Sequence, residues 1–182
     1  MKANINAMDF FRVWSKMAES KKVELLNKWS NPTLFTSAVF YDENALLKLI
    51  SNELGIINYN DYYSIDAVFY SKDDLVPGVP ESQTWLRSIK IAFEHENYFK
   101  SGLFQEVSHL LITKCDLRVL VTYPDGIDPQ DELDYLHKII LDTKNSELIA
   151  EGESFLLIFG DKDENNIIWE GRIFKLKNWQ KI

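Results

Sequence analysis

The feature that most constrains this chain's fold is a change in hydropathy period near residue 64. Before it, apolar residues recur at helical spacing; after it, they alternate. Phe10, Phe11, Trp14, Met17 and Ala18, then Val23, Leu25, Leu26 and Trp29, predict helix over 7–29. Asn31-Pro32 closes that region, because the residue before a proline is pushed out of the helical well. Asp42 is the expected N-cap of a helix running to Leu54, with Glu43 in its first turn and Gly55 as its C-terminal stop. From 64 to 70 the period becomes two: Ile65, Ala67 and Phe69 fall on one side, Asp66, Val68 and Tyr70 on the other.

The alternating pattern returns at 88–96, after a polar, turn-rich connection that includes Pro77-Gly78-Val79-Pro80. A helix is expected over 104–113, with Phe104, Val107, Leu110 and Leu111 as its apolar face, and a strand over 117–123. A helix over 130–144 and strands at 155–159 and 167–174 complete the reading. From residue 43 the order is α, β, β, α, β, α, β, β, which calls for an α/β fold: a mixed sheet with helices packed on it.

Length and composition narrow the function classes. A chain of 182 residues with 46% hydrophobic residues suits a single domain with one substantial core. The single cysteine, Cys115, excludes an internal disulfide and a multi-cysteine zinc site, and no activating motif surrounds it. No apolar run has the length of a membrane span, and Met1 to Asn6 lacks the pattern of a signal peptide, so a cytoplasmic location without membrane contact is expected. The net charge of −8 is concentrated: residues 125–170 carry 13 acidic and 3 basic side chains, while 171–182 carry four basic and no acidic ones. The remainder is near neutral and neither demands nor forbids a polyanionic partner.

The residues most able to carry chemistry are Asp66 and the sequence Glu94-His95-Glu96. Alternation puts Glu94 and Glu96 on one side of their strand and His95 on the other. If the two strands pair, Asp66 approaches Glu94, and two carboxylates in reach of each other suit a hard divalent cation such as Mg²⁺. These acids interrupt otherwise apolar strands, where an unpaired carboxylate is costly. Lys90 shares the parity of Glu94 and is a candidate cation for the site. His137, on an acidic helix, is expected to be solvated.

Asp66 in a strand, a loop, a strand ending in Glu-x-Glu, a helix and an apolar strand together resemble the core of the PD-(D/E)xK nuclease superfamily. That resemblance implies a restriction-endonuclease-like αβββαβ core over 42–123, flanked by helices, with a helical extension at 1–41 and a helix and strands at 124–182. It implies a metal-dependent nuclease using Mg²⁺ or Mn²⁺, with Asp66 and Glu94 as metal ligands and nucleic acid, DNA first, as partner. Glu96 stands where the family usually has Lys, as in some type II restriction endonucleases, and Ile65 replaces the proline expected before the aspartate. Glu53 or Glu43 is placed where many members carry a further acid. Gln105, with His109 four residues on, matches the Gln of a Gln-x-x-x-Tyr pattern found in exonuclease-like members. The alternative keeps the fold without the chemistry: a binding or regulatory module whose acidic 125–170 segment meets a basic protein partner. The missing lysine and the absence of a basic patch outside 171–182 favour that alternative.

Overall fold

The computed structural model describes residues 5–80 and 82–182; the part of the leader reading that rests on residues 1–4 lies outside them. Four helices come first: α1 (Ala7–Ser20), α2 (Lys22–Lys28), α3 (Pro32–Phe40) and α4 (Leu46–Leu54). Asn6 caps α1 through a 2.8 Å bond from the Asp9 N–H. The expected helix over 7–29 is two helices, broken at Lys21. Asn31-Pro32 ends α2 but also opens α3, with Asn31 as N-cap and proline at the first turn, where its missing N–H costs nothing. Asp42 does not cap α4. Its carboxylate takes Ser37 Oγ and Lys28 Nζ, both at 2.6 Å, and so ties the corner between the helices. Gly55 stops α4 in the left-handed conformation, φ 67°.

Seven strands then form one open sheet in sequence order: β1 (Ile57–Tyr62), β2 (Ile65–Tyr70), β3 (Ile89–Glu96), β4 (Cys115–Thr122), β5 (Phe155–Asp163), β6 (Asn166–Phe174) and β7 (Trp179–Lys181). β1, β2 and β3 form an antiparallel meander, β3, β4 and β5 run parallel, and β5, β6 and β7 are antiparallel again. The parallel steps need crossovers. α5 (Leu103–Ile112) supplies the first; α6 (Gln130–Leu141) and α7 (Ser146–Glu151) supply the second.

The two faces of the sheet bury separate cores. α1 to α4 cover Ala67, Phe69, Ile91, Phe93, Val119, Val121, Leu156 and Ile158. α5 to α7 cover Val68, Ala92, Leu120, Phe155, Leu157 and Phe159. Alternation along β5 assigns successive residues to opposite cores, as period two requires. One expectation fails: Ile65 joins the core opposite to Ala67 and Phe69. The β2–β3 ladder stops at the Ala67–Phe93 pair, and beyond it Ile65 is paired only with Tyr62 of β1. His137 is half-buried rather than fully solvated; its Nε2 lies 2.8 Å from the Lys175 carbonyl, beside Phe174 and Trp179. Among the described residues, no helix is long and apolar enough to cross a membrane.

Candidate functional site

The site grows from the point where β2 leaves β3. In a continuing ladder Asp66 would oppose Glu94. Instead, side chains stand in for the backbone bonds. The Asp66 N–H donates to Glu94 Oε2 at 3.0 Å, and the His95 N–H donates to Asp66 Oδ2 at 2.8 Å. This crossed pair holds both carboxyls at the mouth of a fork between two strands. Glu94 shares the parity of Ala92 and faces α5, where its side chain is 1% exposed. Burial drives its carboxyl up to about 9, and the nearby Asp66 charge adds to the shift. Burial likewise raises Asp66, partly offset by the bond from the His95 N–H.

α5 brings two more groups to the same place. His109 Nδ1 lies 3.4 Å from Glu94 Oε1 and 3.6 Å from Glu106 Oε2. Burial and then the Asp66 charge raise Glu106. Glu96, half-buried at the strand end, takes the Tyr98 N–H at 2.7 Å; burial is the largest cause of its raised pKa, and Asp66 contributes too. The charges bearing on these carboxylates are chiefly one another, with Asp61 and His109 also acting on Asp66.

The supporting residues expected from sequence go elsewhere. Glu53 is exposed and paired with Lys16 at 2.6 Å, against α1. Lys90 lies four residues before Glu94, about 13 Å away along the strand. It pairs with the buried Asp74 at 3.5 Å, which Ser71 and Ser88 also hold. Gln105 is exposed, with its Oε1 folded back over Gly102. Glu43 is exposed too, before the start of α4.

Glu106 is the residue that sequence reasoning missed. Taking Phe104 into the apolar face set the phase of the helix wrongly: Phe104 is exposed, and the buried stripe is Leu103, Val107 and Leu110. At about 100° per residue, Glu106 and His109 lie about 60° and 120° to one side of Leu103, while Gln105 lies about 160° away. The Leu103-Val107-Leu110 spacing was the available signal.

On the other face of β3, His95 is enclosed by Phe35, Phe40 and Tyr123, with its Nε2 2.7 Å from the Tyr123 hydroxyl. Burial holds its pKa down to about 3, so the ring is neutral. Tyr123 reaches it by lying across Gly160, where a Cβ would come within 2.8 Å of the ring.

No protein-family model matches the chain, nor does any curated protein or solved structure.

Proposed function

We propose that the chain is a divalent-metal-dependent nuclease-like protein that hydrolyses phosphodiester bonds of nucleic acid, with DNA the first substrate to test. The observation that carries this reading is the fork: Asp66 and Glu94 are crossed at the end of a buried strand, and their charges have no compensating lysine or arginine among their largest influences. A cation is the natural complement to such a site. The order α4, β1, β2, β3, α5, β4 supports the reading, because it is the order of the family core that the sequence resembles.

In this reading Asp66 and Glu94 hold Mg²⁺ or Mn²⁺, which when bound activates water and offsets charge on the phosphate. Glu96, at the strand end beside them, orients the attacking water and accepts its proton. The water oxygen bonds to phosphorus as the bond to the leaving sugar oxygen breaks, and that oxygen takes a proton from solvent. The exposed Tyr63–Trp85 pair, with ring centroids 6.3 Å apart beside the β1–β2 turn, offers faces on which bases can stack.

The test is cleavage of single-stranded, duplex and branched DNA and of RNA, with Mg²⁺ and with Mn²⁺. Asp66→Asn and Glu94→Gln preserve the shape and the backbone bonds, so each is expected to lower cleavage at least about 100-fold with the fold intact. Glu96→Lys is expected to keep or raise it. A wild-type protein that cuts none of these substrates overturns the reading.

A cleft of about 660 Å³ supports the non-catalytic alternative. It lies where the parallel strands end on the N-terminal helical face. Trp29, Phe35 and Tyr123 wall it, and Asp125, Asp163 and Glu164 outnumber Lys162 around it. Aromatic faces with carboxylates suit a cationic group of a basic partner. Saturable binding of a lysine- and arginine-rich peptide without any nuclease activity is the outcome that selects this alternative.

A further inference from the structure

We infer that Glu94, Glu106 and His109 form a mixed carboxylate–imidazole site for a transition-metal dication, Mn²⁺ or Zn²⁺, in preference to Mg²⁺. One ligand atom from each residue falls within 4.8 Å of the other two. Two ligands bound at ~2.1 Å to one ion in tetrahedral or octahedral geometry stand about 3.0–3.4 Å apart. The separations of 3.4 Å from Glu94 to His109 and 3.6 Å from His109 to Glu106 are close to that range.

A second observation points into the same triangle. Glu94 Oε1 and His109 Nδ1 are both buried and both lack a hydrogen-bond partner, although they face each other. Glu94 Oε2 is already satisfied by the Asp66 N–H, so Oε1 is the free ligand atom of a carboxyl that is otherwise fixed. A buried polar atom without a partner is rare and costly, and here two converge on one point. Helix α5 sets the other two ligands, because positions i and i+3 share a helical face.

The ligand types decide the metal. Mg²⁺ takes oxygen ligands and keeps its waters, whereas an imidazole nitrogen favours Mn²⁺ weakly and Zn²⁺ strongly over it. The inference rests on the reading of Glu94 as a metal ligand, but not on cleavage. Asp66 remains free to join the same ion or to orient what binds it.

The test is calorimetric titration of the full chain with Zn²⁺, Mn²⁺ and Mg²⁺, and optical titration with Co²⁺. One equivalent of Zn²⁺ or Mn²⁺ is expected to bind at least tenfold more tightly than Mg²⁺. His109→Ala should weaken Zn²⁺ and Mn²⁺ at least tenfold and Mg²⁺ much less, whereas Glu106→Gln removes an oxygen ligand and should weaken all three. The visible Co²⁺ bands should shift in His109→Ala and stay unchanged in His137→Ala. His109 is partly exposed, and the fold of each variant is checked by circular dichroism. Zn²⁺ and Mn²⁺ binding no tighter than Mg²⁺ overturns the inference, as does binding that neither substitution weakens. In that case the two unpartnered atoms belong to a proton-sharing pair. Cleavage that needs Asp66 but not His109 leaves the nuclease reading standing and removes this site; His109-dependent metal binding without any cleavage does the reverse.

Discussion

Two adjacent residues at the end of β3 face opposite ways and meet opposite environments. His95 enters a closed aromatic box, gives its ring nitrogen to Tyr123 and stays neutral. Glu94 enters a pocket of its own charge sign, with one oxygen unmatched and its proton tightly held. Both are buried polar groups on the same strand, so burial alone does not distinguish a structural residue from a site residue. What separates them is satisfaction. The His95 side chain is complete without a ligand, and the Glu94 side chain is complete only with a proton or a cation.

The largest effect that tests this contrast is expected at the closed face. His95→Ala removes a packed ring and orphans the Tyr123 hydroxyl, and should cost about 3 kcal/mol in urea unfolding. Metal titrations of the same variant should be unchanged. A loss under 1 kcal/mol would mean that the box is not what holds this end of the sheet.

Next comes pH, where the two residues act with opposite signs in metal-free protein. The folded pKa of Glu94 lies above its unfolded value of 4.5, so its contribution is full below 4.5 and is lost as pH rises toward 9. The folded pKa of His95 lies below its unfolded 6.5, so its contribution is full above 6.5 and is lost as pH falls toward 3. Glu94→Gln mimics the protonated acid. It should melt about 4 °C higher than wild type at pH 8 and level with it at pH 4. A variant that melts lower at pH 8 contradicts the assignment.

The smallest expected effect is that of Tyr123→Phe. It deletes one buried hydrogen bond and keeps the ring over Gly160, so about 1 kcal/mol is expected in the same unfolding assay. A much larger loss would show that the closed face depends on its polar bond more than on its packing.

The centre of the fold was legible in the sequence, and its margins were not. β2 and β3 as neighbouring strands, and β4 in the same sheet, follow from the alternating and apolar runs at 64–70, 88–96 and 117–123, whereas the parallel pairing of β4 on β3 does not. β1 was invisible because its inward positions are polar: Asn58 accepts from Ser51, and Asn60 donates to the Phe40 carbonyl. Hydropathy cannot register a strand that meets its helices through amides. β7 is too short to show a period. At the site, Asp66 and Glu94 stood out as acids inside apolar strands, and their contact follows from the register. On α5, His109 stood out only as the partner of Gln105 and Glu106 did not stand out, because one exposed phenylalanine, Phe104, moved the expected helix face. Glu53 and Lys90 pair instead with Lys16 and Asp74, contacts between segments distant in the chain that no local pattern encodes.

The crossed bonds at the fork turn two backbone amides into reporters. Elsewhere along β2 and β3, an amide is protected from exchange with solvent deuterium by a carbonyl, and it exchanges when the sheet opens. The Asp66 and His95 amides are held by carboxylates. Their protection therefore follows the charge and occupancy of the site, so the spectrum of the backbone carries a record of what the side chains have bound.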